Sequence, residues 1–349
     1  MISLLASLAL QSAAFTPEPP AAVQIDVSEG AETAHIREGL VWLDVPEFTN
    51  GTLEFDLLME PGRAFTGIMF RAQDADNGEM FYFRHHQRGL PDAWQYHPRR
   101  NGHQAYQIYQ GEGFAGAFET VLGEWVRIRM EILDGEARIY QNDVLAAQIP
   151  DLQETPMPGR VAIWALRGER SVRNVSYQPE VAFEPVSVPA GAAPPPPPAI
   201  PPRGELITTW KVSPVLSSDE AHRLAGREVP VMRTMKASHR GIVDLNAAGK
   251  LDGDNNTLIA RTLVEVDTAH MAWLDFGYSD DVTIYLNGAP VYAGSDRFRS
   301  RDYRFLGTVG FFDSLPLNLR AGTNMIDFVV TEVEGGWAVA GSLREAPDR

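Results

Sequence analysis

The sequence predicts an all-β chain of two antiparallel β-sandwiches joined by a Pro-rich linker. Three observations carry that prediction. Apolar and polar residues alternate along many short segments, which is the period of a half-buried strand. Asn50-Gly51, Asn77-Gly78, Asn101-Gly102 and Asp134-Gly135 punctuate these segments, and such pairs favour tight hairpin turns. The chain also holds 25 Pro and 30 Gly, more than a helical protein needs and in keeping with many strands and turns. At 349 residues it is too long for one ordinary domain.

The elements follow in order. Residues 1–15, MISLLASLALQSAAF, join an apolar run to the small residues Ser12, Ala13 and Ala14, the pattern of a signal peptide. The run is shorter than the about 20 apolar residues that cross a bilayer. The expectation is a secreted or periplasmic protein whose mature chain is not inserted in a membrane.

A first sandwich is expected over 24–180. Its strands read GTLEFDLLM, TGIMFRAQ, EMFYFRHH, HQAYQIYQ, EWVRIRMEIL, EARIYQND, GRVAIWAL and RSVRNVSYQ. The hairpin from Glu124 to Asp143, turning at Asp134-Gly135, is the clearest. Residues 186–204 form the linker, where Pro194 to Pro198 impose an extended, semi-rigid spacer. A second sandwich is expected over 205–346, with strands TLIARTLVEV, MAWLDFG, DVTIYLNGAPVY, RFLGTVGF, MIDFVVTEV and WAVAGSL.

The order FTNGTLEFDLL, GIMFRAQD, GEWVRIRMEILDGEARIYQND and GRVAIWALRGERSVRNVSYQ resembles the concanavalin A-like lectin/glucanase superfamily, with its laminin G-like jelly roll. The resemblance covers nearly all of the first domain. DDVTIYLNGAPVYAG, LNLRAGTNMIDFVV and GGWAVAGSL resemble galactose-binding-like jelly rolls over most of the second. These resemblances imply carbohydrate binding. The first superfamily also includes glucanases and polysaccharide lyases, so it fixes the fold better than the activity. Jelly rolls of both kinds leave room for a structural calcium ion assembled from loops.

Composition narrows the partners. A formal net charge of −16 disfavours nucleic acid, whose phosphates need clustered Lys and Arg. With no Cys, the chain can form no disulfide, thiolate nucleophile or Cys-based zinc site. Asp74-Ala-Asp76-Asn77-Gly78 and Asp252-Gly-Asp254-Asn255-Asn256 open like calcium loops, but the twelfth positions are His85 and Leu263 rather than Glu. Both read as turns, so no metal ligands are assigned.

The expected site lies between Phe48 and Phe114, where four of the eight His residues fall between His85 and His103. If Ile68, Phe70, Phe81 and Phe83 face the core, alternation puts Arg71, Tyr82, Arg84 and His86 on the opposite face. Trp94, Tyr96 and Tyr109 are the expected walls. Aromatic rings stack on the apolar faces of sugars, and Arg and His donate to hydroxyls and carboxylates. The two Arg residues point toward an anionic polysaccharide.

The leading expectation is therefore a non-catalytic glycan-binding protein. A second is a hydrolase or lyase on the same patch, with His86, Tyr106 and Arg84 as lyase candidates and Glu79, Asp92 and Glu112 as carboxylate candidates. The glucanase Glu-x-Asp-x-x-Glu strand is absent, and Tyr106-Gln107-Ile108-Tyr109 lacks the Lys of the alginate-lyase strand. A third is a protein-interaction or structural module. No cofactor is expected.

Overall fold

The computed structural model describes residues 14–28, 31–183, 202–297, 301–302, 304–305 and 307–345. The chain is all-β, built of antiparallel sheets. It divides into two units that are not contiguous in sequence: Met1–Arg88 with Phe118–Val186, and Gly89–Ala117 with Ser187–Arg349. The expected first domain, 24–180, thus contains a segment that groups with the second unit. The expected leader 1–15 and linker 186–204 lie outside the described residues, apart from 14–15 and 202–204.

The strands of the first half of the chain are β1 (Phe15–Ser28), β2 (Ala31–Leu43), β3 (Gly51–Met59), β4 (Phe65–Ala72), β5 (Gly78–Arg84), β6 (Trp94–Arg99), β7 (Ala115–Gly116), β8 (Trp125–Leu133), β9 (Glu136–Gln141), β10 (Val144–Ile149), β11 (Arg160–Leu166) and β12 (Arg170–Gln178). Strands β6 and β7 belong to the second unit. In the first unit the order is β10-β9-β8-β3-β12-β2-β11-β4-β5, with β1 along β2. Alternation drives the pairing: Leu53, Phe55 and Leu57 of β3 and Ile128 and Met130 of β8 are buried, while their neighbours in sequence face outward. Ile68, Phe70, Phe81, Phe83 and Ile163 supply the interior of the other half.

Strand β2 joins the two halves, pairing with β12 over 33–36 and with β11 over 39–42. Gly39, where the pairing with β11 begins, has a φ of 104°. A Cβ there would lie 2.7 Å from Ala21 Cα. The β1–β2 register slips at the same place, between Glu18 and Ala22, where Pro19 and Pro20 have no N–H for the ladder. Gly39→Ala is expected to lower stability by about 1–3 kcal/mol, read from the denaturant midpoint.

The second unit is a sandwich of two antiparallel sheets. Trp210, Leu258, Ile284, Ile326 and Phe328 of one sheet share a core with Leu274, Phe276, Leu317 and Val339 of the other. Ser217 caps the helix Ser218–Leu224 by accepting from Glu220 N, and the helix seats Ala221 against Ile259 and Val329. Arg261 and Asp327, opposite each other in register, form a buried two-pronged ion pair at 2.6 and 2.8 Å. Trp337 is buried, and its indole donates to Val330 O at 3.2 Å.

Two segments that alternate like strands are not strands. HQAYQIYQ, 103–110, forms turns instead, with Ile108 N and Tyr109 N both donating to Ala105 O at 3.1 Å. The described part of RFLGTVGF, 304–311, is likewise irregular, and Val309 N donates to Gln107 O at 2.9 Å. In both, specific polar partners replace a ladder.

Candidate functional site

Strand register assembles a second apolar cluster on the side of β2, β11, β4 and β5 opposite Phe70, Phe81 and Ile163: Leu40, Trp42, Met69, Met80, Tyr82 and Ala162 are buried in it, and Phe65 and Trp164 pack against it half-buried. Leu40, Trp164, Gly67 and Tyr82 stand in one row, and Trp42, Ala162, Met69 and Met80 in the next. Leu166, Phe65 and Arg84 form a third. The Tyr82 and Trp164 ring centroids lie 5.7 Å apart, Phe65 and Tyr82 6.2 Å, and Phe65 and Trp164 6.5 Å. Arg84 Nη2 donates to the Tyr82 hydroxyl oxygen at 3.0 Å, and its guanidinium sits 5.0 Å from that ring's centre. Phe65 and Trp164 are half-buried and His86 is exposed, whereas Tyr82 and Arg84 are buried. The rings with free area are therefore Phe65 and Trp164.

A buried network fixes this face from behind. Among the described residues Arg170 forms no ion pair with a carboxylate, and only the more distant charges of Glu169 and Glu38 act on it. It donates to Thr66 Oγ1 at 3.1 Å, to Arg37 O at 2.8 Å and to Phe65 O at 3.0 Å. It also donates to the Ile36, Gly168, Leu166 and Arg167 carbonyls. Burial pushes the Arg170 guanidinium down to about 10, so it stays charged at neutral pH. His85 bonds Thr66 Oγ1 through Nε2 and Glu60 O through Nδ1, both at 2.8 Å. His85 thus ties the 3₁₀ turn His85–Gln87 to β4.

Burial, with Arg170 and His86 nearby, pushes the His85 imidazole down from 6.5 to about 4. The folded protein therefore disfavours protonated His85. This contribution to stability is complete above about pH 6.5 and is lost as pH falls toward 4. The expected loss is up to about 3 kcal/mol, measured as unfolding free energy at pH 7 and pH 4.5, with the slope reduced in His85→Gln.

The expected site residues fall as follows. Tyr82, Arg84 and His86 do lie together on the first unit, but His86 reaches this face by another route. Strand β5 ends at Arg84, and His86 sits in the 3₁₀ turn with its ring 5.2 Å from Phe65, edge to face. Arg71 is elsewhere. It is buried and donates to Thr49 O at 2.8 Å, to Asn50 Oδ1 at 3.2 Å and to Asp134 O at 2.6 Å. A bulge between Arg160 and Ala162 breaks the alternation on β4 after Phe70, and Arg71 takes a φ of 47°. Arg71 therefore pins two turns and does not join the open face.

Trp94, Tyr96 and Tyr109 belong to the second unit and are buried there. Trp94 pairs with Gly116, and Tyr96 stacks on Phe114 at 6.2 Å. The Tyr109 hydroxyl donates to Asp244 Oδ2 at 2.9 Å, and Arg100 Nη1 donates to the same oxygen at 2.7 Å. Burial, reinforced by the Asp244 charge, holds the Tyr109 phenol well above its ordinary range. The catalytic candidates also divide. Glu79, with His86 and Arg84, is in the first unit, and Asp92, Tyr106 and Glu112 are in the second. Glu79 is fully buried and accepts from Glu154 N at 3.1 Å. Asp92 is buried, Tyr106 half-buried and Glu112 exposed.

Sequence reasoning missed Phe65, Trp164 and Trp42. The signal for Trp164 was present: in GRVAIWAL the alternation that buries Val161, Ile163 and Ala165 sends Trp164 the other way. The Trp42 indole donates to Glu18 Oε2 at 2.5 Å, and Arg160 covers its ring at 3.9 Å. The Asp74 loop is a side-chain-capped turn, with Asp74 Oδ1 accepting from Asp76 N at 2.8 Å and from Asn77 Nδ2 at 2.9 Å. Among the described residues no group of three or more His, Asp or Glu gathers as a metal cage. No helix among them is long and apolar enough to cross a membrane.

No protein-family model matches the sequence, and no curated protein matches it. Several solved structures are similar in part. The carbohydrate-binding module CBM66 from Bacillus subtilis is 15% identical, aligning over 47% of this chain and 95% of its own, with a TM-score of 0.34. A Bacillus subtilis protein of unknown function with a galectin-like fold is 10% identical over 47% and 89%, with a TM-score of 0.36. A galectin from Caenorhabditis elegans is 18% identical over 44% and 95%, with a TM-score of 0.29.

Proposed function

We propose that this chain is an exported glycan-binding protein that receives a polysaccharide or oligosaccharide on the Phe65–Trp164–His86 face of its first unit. One observation carries the reading: two half-buried rings and an exposed imidazole share one sheet face, backed by a buried Tyr82–Arg84 pair. Ring faces suit the C–H faces of a pyranose, and His86 supplies a polar edge. Export rests on the leader-like first residues. The sequence resemblance to lectin-type jelly rolls agrees with it.

Preference for an anionic polysaccharide is the finer form of the proposal. Of the two Arg residues behind it, Arg71 is committed to Thr49, Asn50 and Asp134, and Arg84 is buried and donates to Tyr82, so this preference rests on the nearby Arg84 charge and not on a free donor. The test is a screen of neutral and uronate-bearing polymers that follows binding and the release of reducing ends or unsaturated products in the same wells. Binding without product, tighter to uronates, is expected. Product release would replace the binding reading with the enzyme reading, and the absence of both signals would favour a protein partner.

A further inference from the structure

The second unit contains a buried acidic group that the binding face does not use. Glu332 follows the strand Gly322–Thr331 and opens the turn to Trp337. Its Oε1 accepts from Gly336 N at 3.1 Å, while Oε2 is buried and has no hydrogen-bond partner among the described residues. Asp280, beside it, accepts from Val333 N and Glu334 N at 2.8 Å and from Gln107 Nε2 at 3.3 Å. Asn246 Oδ1 accepts from Trp337 N at 2.9 Å.

This turn grips the segment Gly89–Ala117. Gln107 N donates to Gly335 O at 2.9 Å, and Gln107 Nε2 to Glu334 O at 3.2 Å. Ser279 Oγ donates to Gln107 Oε1. Gly335 has a φ of 100°, and a Cβ there would come 2.7 Å from the Tyr106 ring. Asn101 Nδ2 donates to Asn246 O at 2.8 Å, and His103 Nε2 lies 2.9 Å from Gly249 O.

We propose that Glu332 is a proton-operated latch: neutral, it lets the 332–337 turn clasp the 100–110 loop, and ionised, it releases that loop. The charge arithmetic is local. Asp280, Asp244 and Glu334 all face Glu332 with negative charge. The Arg100 and Tyr109 donors are already spent on Asp244, and the His103 ring packs against Trp337 at 6.1 Å. An ionised Glu332 would add a buried negative charge beside buried Asp280 and half-buried Asp244, with no donor for Oε2. Burial first, then Asp280, pushes the Glu332 carboxyl up to about 8. Because the folded value lies above the unfolded value of 4.5, the stabilisation is complete below about pH 4.5 and is lost as pH rises through about 8.

The test is amide hydrogen exchange on the full chain at pH 6.5 and pH 9.5, with protection expressed relative to unstructured-peptide rates. The Gln107 and Gly336 amides are expected to lose about tenfold or more in protection at the higher pH, while the β3–β8 amides of the first unit keep theirs. Glu332→Gln is expected to remove most of that loss. Equal protection at both pH values in the wild type would overturn the latch, as would an unchanged loss in Glu332→Gln. If that variant does not fold, the exposed Glu334→Gln substitution decides. Taking away one facing charge should move the midpoint of the loss to lower pH, and an unmoved midpoint would count against the proposal.

Discussion

Arg170→Ala is expected to destabilise the first unit by about 3–5 kcal/mol, a large share of the about 5–15 kcal/mol that holds a domain together. The guanidinium donates to six carbonyl oxygens and to Thr66 Oγ1, on β2, β4 and the β11–β12 turn. Truncation leaves those buried acceptors without donors, each at a cost of about 1–3 kcal/mol before relaxation and water entry. Arg170→Lys should recover only part of the loss, because one ammonium cannot span the same fork. Chemical unfolding of both variants measures this. A shift under about 1 kcal/mol for the Ala variant would mean that water replaces the guanidinium and that Arg170 is dispensable.

A fragment beginning at residue 202 is expected not to fold cooperatively, although it holds nearly all of the second unit's strands. In the full chain, Gly89–Ala117 supplies the donors for two of that unit's buried carboxylates. Arg100 and Tyr109 serve Asp244, and Gln107 serves Asp280. Ala105 and Ile108 cover Gly336. Removing these partners exposes core and strands buried charge. A broad, shallow thermal transition is the expected result. A sharp transition at the temperature of the full chain would show that Gly89–Ala117 merely lies on a finished domain.

Much of the strand framework was legible because burial on one side imposes alternation. It located β3, β8, β9 and β12 and the Asp134 hairpin, where φ is 51°. It also separated Tyr82 and Arg84 from Phe81 and Phe83. It failed where something other than burial decides. The bulge on β4 reversed Arg71, and no local pattern announces a bulge. The 103–110 segment alternates like a strand, but its partners Asp244 and Asp280 lie 135 and 173 residues away. Neither composition nor spacing reveals such partners. The Pro-rich β1 begins ahead of residue 24, where the first sandwich is expected to start, yet it pairs along most of β2. An edge strand tolerates Pro where a central strand does not. For the site, Trp164 lies outside the stretch dense in His and Arg, and only the phase of β11 marks it.

The central claim is that the Phe65–Trp164 face binds glycan. The direct measurement is the dissociation constant of the full chain for the polysaccharide bound best in the screen, compared with that of Trp164→Ala. Trp164 packs half-buried against the buried cluster of Leu40, Trp42, Met69, Met80 and Tyr82, so its truncation should lower the melting temperature, and affinities are compared at a temperature where both proteins are folded. Affinity is expected to weaken about tenfold or more, which is about 1.4 kcal/mol, with the fold retained. Unchanged affinity in a folded Trp164→Ala protein would contradict it and move the site off this face.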